Sequence, residues 1–291
     1  MILVTGAAGK TGRVVIRALA GKKQSVRALV RRKQQVEQVQ AIGATEAVVG
    51  DLLDESLLQQ AARGVHAVYH ICPNVHPDEI AMGKVSIAAA VSAGVKHFVF
   101  HSVLRPQIEA MPHHWRKMRV EEALFASGLP FTVLQPASYM QNILAEWDGV
   151  VERGVLAAPY SVQSQSSPVD LQDVAATAVI VLCEPGHHGA IYELCGPEVL
   201  NQSELATIIS AHVGHAVRAE QTGLGEWVRR ARADGLGEYA LETLRKMFCY
   251  YDQYGFWGNS HTLHALLGRR PTSYDAFVKR VLREKRLTRA H

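Results

Sequence analysis

Long apolar runs are missing from this chain. None of its 291 residues belongs to a stretch near the ~20 that a membrane helix needs, so no span is expected. Cysteine is scarce: Cys72, Cys183, Cys195 and Cys249 are scattered, with neither zinc-ligand spacing nor the density of a disulfide framework. A reducing cytoplasm fits this usage, and no metal site is expected. Charge of one sign is also lacking, since a net +4 is too mild to argue for a nucleic-acid partner. There is no internal repeat, long linker or recognisable interaction module. Because an apolar strand begins at Met1, no signal peptide is expected. A 48% hydrophobic and 20% charged composition is that of an ordinary soluble protein, large enough for one big domain or two interleaved ones.

What is present begins at once. Ile2-Leu3-Val4 runs into a turn punctuated by Gly6, Gly9 and Gly12, and an apolar helical segment with Val14, Val15, Ala18 and Leu19 follows. Strand, glycine turn and helix aim backbone N–H groups and a helix N-terminus at a phosphate. Glycine serves where the chain turns tightly and where a side chain would hold a pyrophosphate away. The spacing is G-x-x-G-x-x-G, so the motif points to a dinucleotide by its place in the chain more than by its pattern, and the turn is expected at the edge of the sheet.

The same rhythm continues. Strands are expected at 25–30, 46–49, 66–71 (stopped by Pro73), 97–100 and 131–134. Helices lie between them, one N-capped by Asp54 and one ending at Gly94. Short β-branched strands alternating with helices predict a parallel, doubly wound α/β sheet of the Rossmann-like kind. Residues 1–153 are read as the NAD(P)-binding domain and 154–291 as a smaller, mostly helical substrate-binding region, some of it returning to the sheet. In the second part a strand is expected at 154–158, a polar loop at 161–167, helices at 170–182 and 202–213, and a strand at 191–194. Residues 223–257 read as helical, with aromatics (Phe248, Tyr250, Tyr251, Tyr254, Phe256, Trp257) that, with Trp147 and Tyr139, either stack a flat substrate or pack a core. The basic tail (Arg269, Arg270, Lys279, Arg280, Arg283, Lys285, Arg286, Arg289) carries Phe277, Val278, Val281 and Leu282 at helical spacing, which predicts an amphipathic terminal helix with its charges in water.

The second strand ends in Arg31-Arg32-Lys33, where NAD-selective folds place a carboxylate on the ribose hydroxyls. Arginine there pairs with a 2′-phosphate instead, so NADP(H) is preferred and NAD(H) is the second choice. Asp51 and Leu52 follow the third strand, with Asp51 either near the adenine amino group or only a turn residue.

With the glycine turn, the arginines and the segment Glu121–Pro136 (EEALFASGLPFTVLQP), the chain resembles the NmrA-like branch of the atypical short-chain dehydrogenase/reductases. Tyr251–Phe256 and His264–Pro271 resemble that family's C-terminal pattern, so the likeness covers nearly the whole chain. The resemblance implies that Gly6, Ala8, Gly9, Thr11 and Gly12 hold the pyrophosphate. It implies that Ile71, Cys72 and Pro73 line the cofactor groove, that Ser102 follows the fifth strand, and that Pro136 and Tyr139 pass the nicotinamide. Cys72 is read as a small buried cysteine rather than a redox thiol.

Most short-chain dehydrogenases use a tyrosine acid and a lysine four residues later. Here Lys117 stands where the lysine would, and His113, in a segment read as a surface loop, stands where the tyrosine would. The resemblance gives Lys117 a ribose or nicotinamide contact, and His113 or His114 is either the proton donor or only a surface residue. The loss of the tyrosine favours an NADPH-dependent reductase of electron-poor conjugated acceptors (quinone, azo or triphenylmethane type), a monomer or homodimer. The alternative is a non-catalytic NADP(H) sensor.

Overall fold

A computed structural model describes residues 1–73 and 75–289, with side chains through 286; Arg289 of the basic tail lies outside the described side chains. The chain divides into two compact units, Met1–Gln135 with Val174–Tyr192, and Pro136–Asp173 with Glu193–His291. The units therefore part at Gln135, whereas the sequence placed a border at 153.

The first unit is Rossmann-like. Its strands are β1 (Ile2–Val4), β2 (Val26–Val30), β3 (Glu46–Val49), β4 (Ala67–His70), β5 (His97–His101) and β6 (Phe131–Pro136). They alternate with helices α1 (Lys10–Gly21), α2 (Gln35–Gln40), α3 (Glu55–Ala62), α4 (Glu79–Ser92) and α5 (Pro112–Phe125). With β8 (Ala190–Leu194) the seven-stranded sheet runs β3-β2-β1-β4-β5-β6-β8, and β1 to β6 pair in parallel. Strands covered on both faces need no alternation. Accordingly every residue of β1, β4 and β5 is buried.

Local signals set the helix ends. The Asp54 side chain accepts from Leu57 N at 3.0 Å and starts α3, as expected. Pro112 takes the first position of α5, where its missing N–H costs nothing. Two expectations are corrected. Residues 113–117 are not a surface loop but the first turns of α5, with His113 and His114 only 6% and 1% exposed. The glycine turn follows β1, which has neighbours on both sides, so it does not lie at a sheet edge.

Gly83 sets the spacing of two helices. A Cβ there would fall 2.6 Å from Val120 Cγ1, so glycine lets α4 approach α5 closely. One turn before Gly83 lies Glu79, and three residues before Val120 lies Lys117. The contact thus brings those two side chains together.

The second unit holds β7 (Val155–Ala158) paired in parallel with β9 (Arg218–Gln221). Its helices include α6 (Trp147–Arg153), α8 (Gln202–Val213), α9 (Leu224–Ala233), α10 (Glu238–Tyr254), α11 (His261–Leu267) and α12 (Tyr274–Arg289); α7 (Leu171–Cys183) crosses from this unit into the first. Trp147, Ile209, Phe277, Val278 and Val281 share its core, so α12 is amphipathic as expected and Trp147 is core. Not all of the tail's charges face water, however. Arg280 pairs with fully buried Asp170 at 2.7 Å, and Arg269 pairs with Asp173 at 2.6 Å.

Candidate functional site

The expected cofactor residues of the first unit fall at one rim of its sheet. Gly6 to Gly12 follow β1, Arg31 and Arg32 follow β2, Asp51 and Leu52 follow β3, Ile71 to Pro73 follow β4, and Ser102 follows β5. In parallel strands these are all carboxyl ends, where doubly wound sheets take their ligands. Pro136 and Tyr139 belong to the second unit, in which Tyr139 bridges to Val169.

The glycine turn divides into two functions. At Gly12 a Cβ would come 2.4 Å from Gly6 O and 2.8 Å from Ala7 Cα, so that glycine lets the helix start close under its own turn. Gly9 is exposed, and its Cβ would meet only Gly6 O, at 3.2 Å. It is also the N-cap of α1, with no capping side chain and no acidic residue in the first turn. The positive end of a twelve-residue helix is therefore not neutralised by its own residues, and an anion fits it.

Arg31 and Arg32 are exposed, and their backbone N–H groups both donate to Gln35 Oε1, at 3.1 and 2.9 Å. Gln35, which the sequence reading passed over, fixes the turn that presents both guanidinium groups. Arg31 lies 3.8 Å from Asp51 in a pair that is 77% and 47% exposed. Such a pair is worth at most about 1 kcal/mol and leaves the arginine able to turn to a phosphate. Asp51 also accepts from Leu53 N at 3.0 Å, a turn contact, and Leu52 packs into the core.

Behind this rim lies a buried polar network. Lys117 Nζ donates to Glu79 Oε1, while Glu79 is wholly buried and its Oε2 has no hydrogen-bond partner among the described residues. Burial, the largest single influence, pulls the Lys117 ammonium down, but the charge and hydrogen bond of Glu79 together with the charge of neighbours such as Glu121 hold it above its ordinary range. Cys72 donates to Glu79 O at 3.7 Å, and burial, with Glu79's charge, pushes its thiol up to about 12. It is therefore an un-ionised buried thiol, as expected. Burial likewise lowers His113 to about 2 and His114 to about 4. His113 Nδ1 has no partner among the described residues. A neutral imidazole has no ready proton to give, which weighs against His113 as the acid.

On α5 the residues His113, Lys117 and Glu121 are spaced by four and form one buried stripe. Glu121 meets Ser102 Oγ and Gln135 Nε2, the latter at 3.0 Å from Oε1 and 3.1 Å from Oε2. In the sequence Glu121 and Gln135 stand only within the segment that carries the family likeness, with no site role, and Glu79 carries no signal of one.

The fold and rim define a dinucleotide-binding Rossmann-like protein with a lysine, but no tyrosine, on the helix after β5. A model of the NmrA-like family matches residues 1–277, and the chain belongs to that family. It is 31% identical over 284 residues to an NAD(P)H azoreductase of Xenophilus azovorans, covering 96% of this chain and 97% of that protein. Its structure is similar to that of an NADPH-dependent quinone oxidoreductase from Escherichia coli in complex with NADPH, with a TM-score of 0.85, 26% identity and coverage of 97% and 100%. It is similar also to a triphenylmethane reductase of Citrobacter sp. complexed with NADP(H), with a TM-score of 0.83, 25% identity and coverage of 96% and 99%.

Proposed function

We propose that this chain is an NADPH-dependent reductase that passes hydride to an electron-poor conjugated acceptor of the quinone, azo or triphenylmethane type. The observation that carries the acceptor class is the identity of α5. Where a tyrosine acid would precede Lys117 by four residues stands His113, buried and held neutral. A simple ketone would become an alkoxide and needs a positioned acid, whereas a conjugated acceptor spreads the incoming charge. NADPH supplies the hydride when bound, and the chain supplies orientation and a dry site.

The residues toward that cofactor are Gly9 and the start of α1 for the pyrophosphate, with Arg31 and Arg32 for the 2′-phosphate. Lys117, kept charged by Glu79, presents a fixed ammonium toward the ribose. The enzyme works without nucleic acid, as a monomer or homodimer in the cytoplasm. Two of its tail arginines are committed to Asp170 and Asp173, its four cysteines form no disulfide among the described residues, and no helix among them is long and apolar enough to cross a membrane.

The test is steady-state oxidation of NADPH and NADH with a quinone, an azo dye, a triphenylmethane dye and a ketone. Turnover of a conjugated acceptor with NADPH, and little with the ketone, is expected. Fast ketone reduction that collapses in His113→Ala would overturn the acceptor assignment.

A further inference from the structure

Reducing an azo or quinone acceptor consumes a proton as well as a hydride. Three side chains behind the rim are poor sources of it. His113 is neutral, the Cys72 thiol is locked in burial, and the Lys117 ammonium donates to Glu79. Ser102 is different. It is the first residue past β5, on the same rim as the glycine turn, and its Oγ donates to Glu121 Oε1, a carboxyl oxygen that can return a proton to it. Ser102 and Glu121 are 3% and 2% exposed, so the contact is dry. Gln135, in β6, donates Nε2 to both carboxyl oxygens and holds the group in place. Two strand ends and one helix thus converge on a single carboxyl group whose nearest cation, Lys117, is already committed to Glu79.

We propose, resting on the reductase reading above, that Ser102 and Glu121 form the path that delivers the proton. With Glu121 protonated the bond between them reverses, Oε1 donating to Ser102 Oγ, and the serine gives its own proton to the anion left on the acceptor by hydride addition. An O–H or N–H bond forms there as the serine O–H bond breaks. The Glu121 carboxyl group restores the serine through Oε1 and becomes a carboxylate, stabilised by Gln135. Water admitted as the product leaves returns one proton to Glu121. In sum the acceptor gains a hydride and a proton, and the protein ends as it began.

Burial raises the Glu121 carboxyl above its ordinary range, against the hydrogen bonds from Ser102 and Gln135 and the charge of Lys117. This direction suits a group that gives up a proton near neutral pH. The titratable groups around the network are Lys117, His113 and His114 on α5, Glu79 on α4, His70 and Cys72 at the end of β4, and His101 at the end of β5. The three buried rings at positions 70, 101 and 114 are held neutral, at about 3, 3 and 4, so they do not titrate near neutral pH.

Two measurements test the path. The first is a carbon-13 NMR titration of the cofactor-free protein, its glutamate carboxyl groups labelled and the Glu121 resonance assigned by its loss in Glu121→Gln. Its midpoint is expected above those of the exposed glutamates, and higher still in Ser102→Ala, which removes a hydrogen bond to the carboxylate. A midpoint in the ordinary range would overturn the proposal. The second compares an azo dye with a cationic triphenylmethane dye, which takes up hydride to give a neutral product and consumes no proton. In Glu121→Gln and in Ser102→Ala the azo-to-cation ratio of kcat is expected to fall about ten-fold or more. Ser102→Thr, which keeps the hydroxyl, should restore it. Equal losses on both dyes would make the cluster a structural clamp and overturn the path alone. A wild type that binds NADPH and turns over neither dye would overturn the reductase reading together with the path.

Discussion

Each unit buries carboxylates, and it treats them differently. In the second unit Asp170 pairs with Arg280 and also accepts from Gln141 Nε2 at 2.6 Å, while Asp173 accepts from Arg269 and from Thr272 N, both at 2.6 Å. Arginine's rigid fork and the backbone donors tie α12 and the segment before it to the start of α7, which is architecture. In the first unit Glu79 meets a lysine and has one oxygen to spare, and His113 has one nitrogen to spare. Such atoms are costly to bury; Asp170 Oδ2 also lacks a hydrogen bond among the described residues, but it faces the Arg280 charge at 2.7 Å, whereas Glu79 Oε2 and His113 Nδ1 lie behind the rim. The contrast separates polar groups that hold the molecule together from polar groups held ready.

The largest effect should come from breaking each pair. Lys117→Met and Arg280→Met both strand a buried carboxylate, which costs about 3–5 kcal/mol. Neutralising the partner as well, in Glu79→Gln/Lys117→Met and Asp170→Asn/Arg280→Met, should recover most of that stability in both units. Turnover should return only in the second pair. Denaturant unfolding beside NADPH oxidation checks this, and a Glu79→Gln/Lys117→Met protein with full turnover would erase the distinction.

Acid should act next, and on the first unit. His70, His101, His113 and His114 are lowered to about 3, 3, 2 and 4 from 6.5. Unfolded, each takes a proton below 6.5; folded, each refuses it until far lower. Stability is therefore complete above 6.5 and drains away as pH falls through the window between 6.5 and those folded values, by about 1 kcal/mol per histidine at the first pH unit. Hydrogen exchange across this window should show the first unit opening ahead of the second. Simultaneous opening would count against it.

The same contrast marks what could be read in the sequence. The rim was legible because its signals are local: glycines at a strand end, arginines where a carboxylate is expected, Asp54 before a helix. The network behind it was not. Glu121 and Glu122 are identical neighbours, yet Glu121 is buried on Ser102 while Glu122 is exposed and pairs with Arg119. One residue is a 100° rotation of the helix, and α5 carries polar residues on every side, so periodicity gives no phase. The same polarity hid the burial of His113. Glu79, at the start of α4, looks like any acid complementing a helix N-terminus. Strand β9, Arg218–Gln221, has no apolar run and was missed because its pairing with β7 alone defines it. Arg280 reads as one charge of a basic tail until its partner 110 positions earlier is in view.

The rim offers a sharper division between its own glycines. Gly12→Ala places a Cβ 2.4 Å from Gly6 O, with backbone on both sides and nothing able to move, so the variant should lose stability whether or not nucleotide is present. Gly9→Val needs only a few tenths of an ångström from one carbonyl, at 3.2 Å, and should fold while losing NADPH binding, because its branched side chain fills the approach to the helix N-terminus. Thermal melts with and without NADPH separate the two. Retained nucleotide binding in a folded Gly9→Val protein would remove the pyrophosphate from this turn.

The smallest effect, and the most selective, belongs to the two arginines. Among the described residues neither makes a strong contact of its own: Arg31 reaches Asp51 only at 3.8 Å, and both side chains stand in solvent beside a turn that Gln35 fixes through the backbone. Removing them should therefore leave stability almost unchanged. A charge-assisted contact to a 2′-phosphate is worth ~1.5–3 kcal/mol, so Arg31→Ala/Arg32→Ala should weaken NADPH binding about ten-fold or more. NADH has no phosphate there and should bind the variant as it binds the wild type. Gln35→Ala should give a milder version of the same selective loss, because the guanidinium groups survive while the turn that aims them loosens. Titration of both nucleotides against the three proteins decides it. Equal losses for NADPH and NADH would mean that the arginines shape the turn without reading the phosphate.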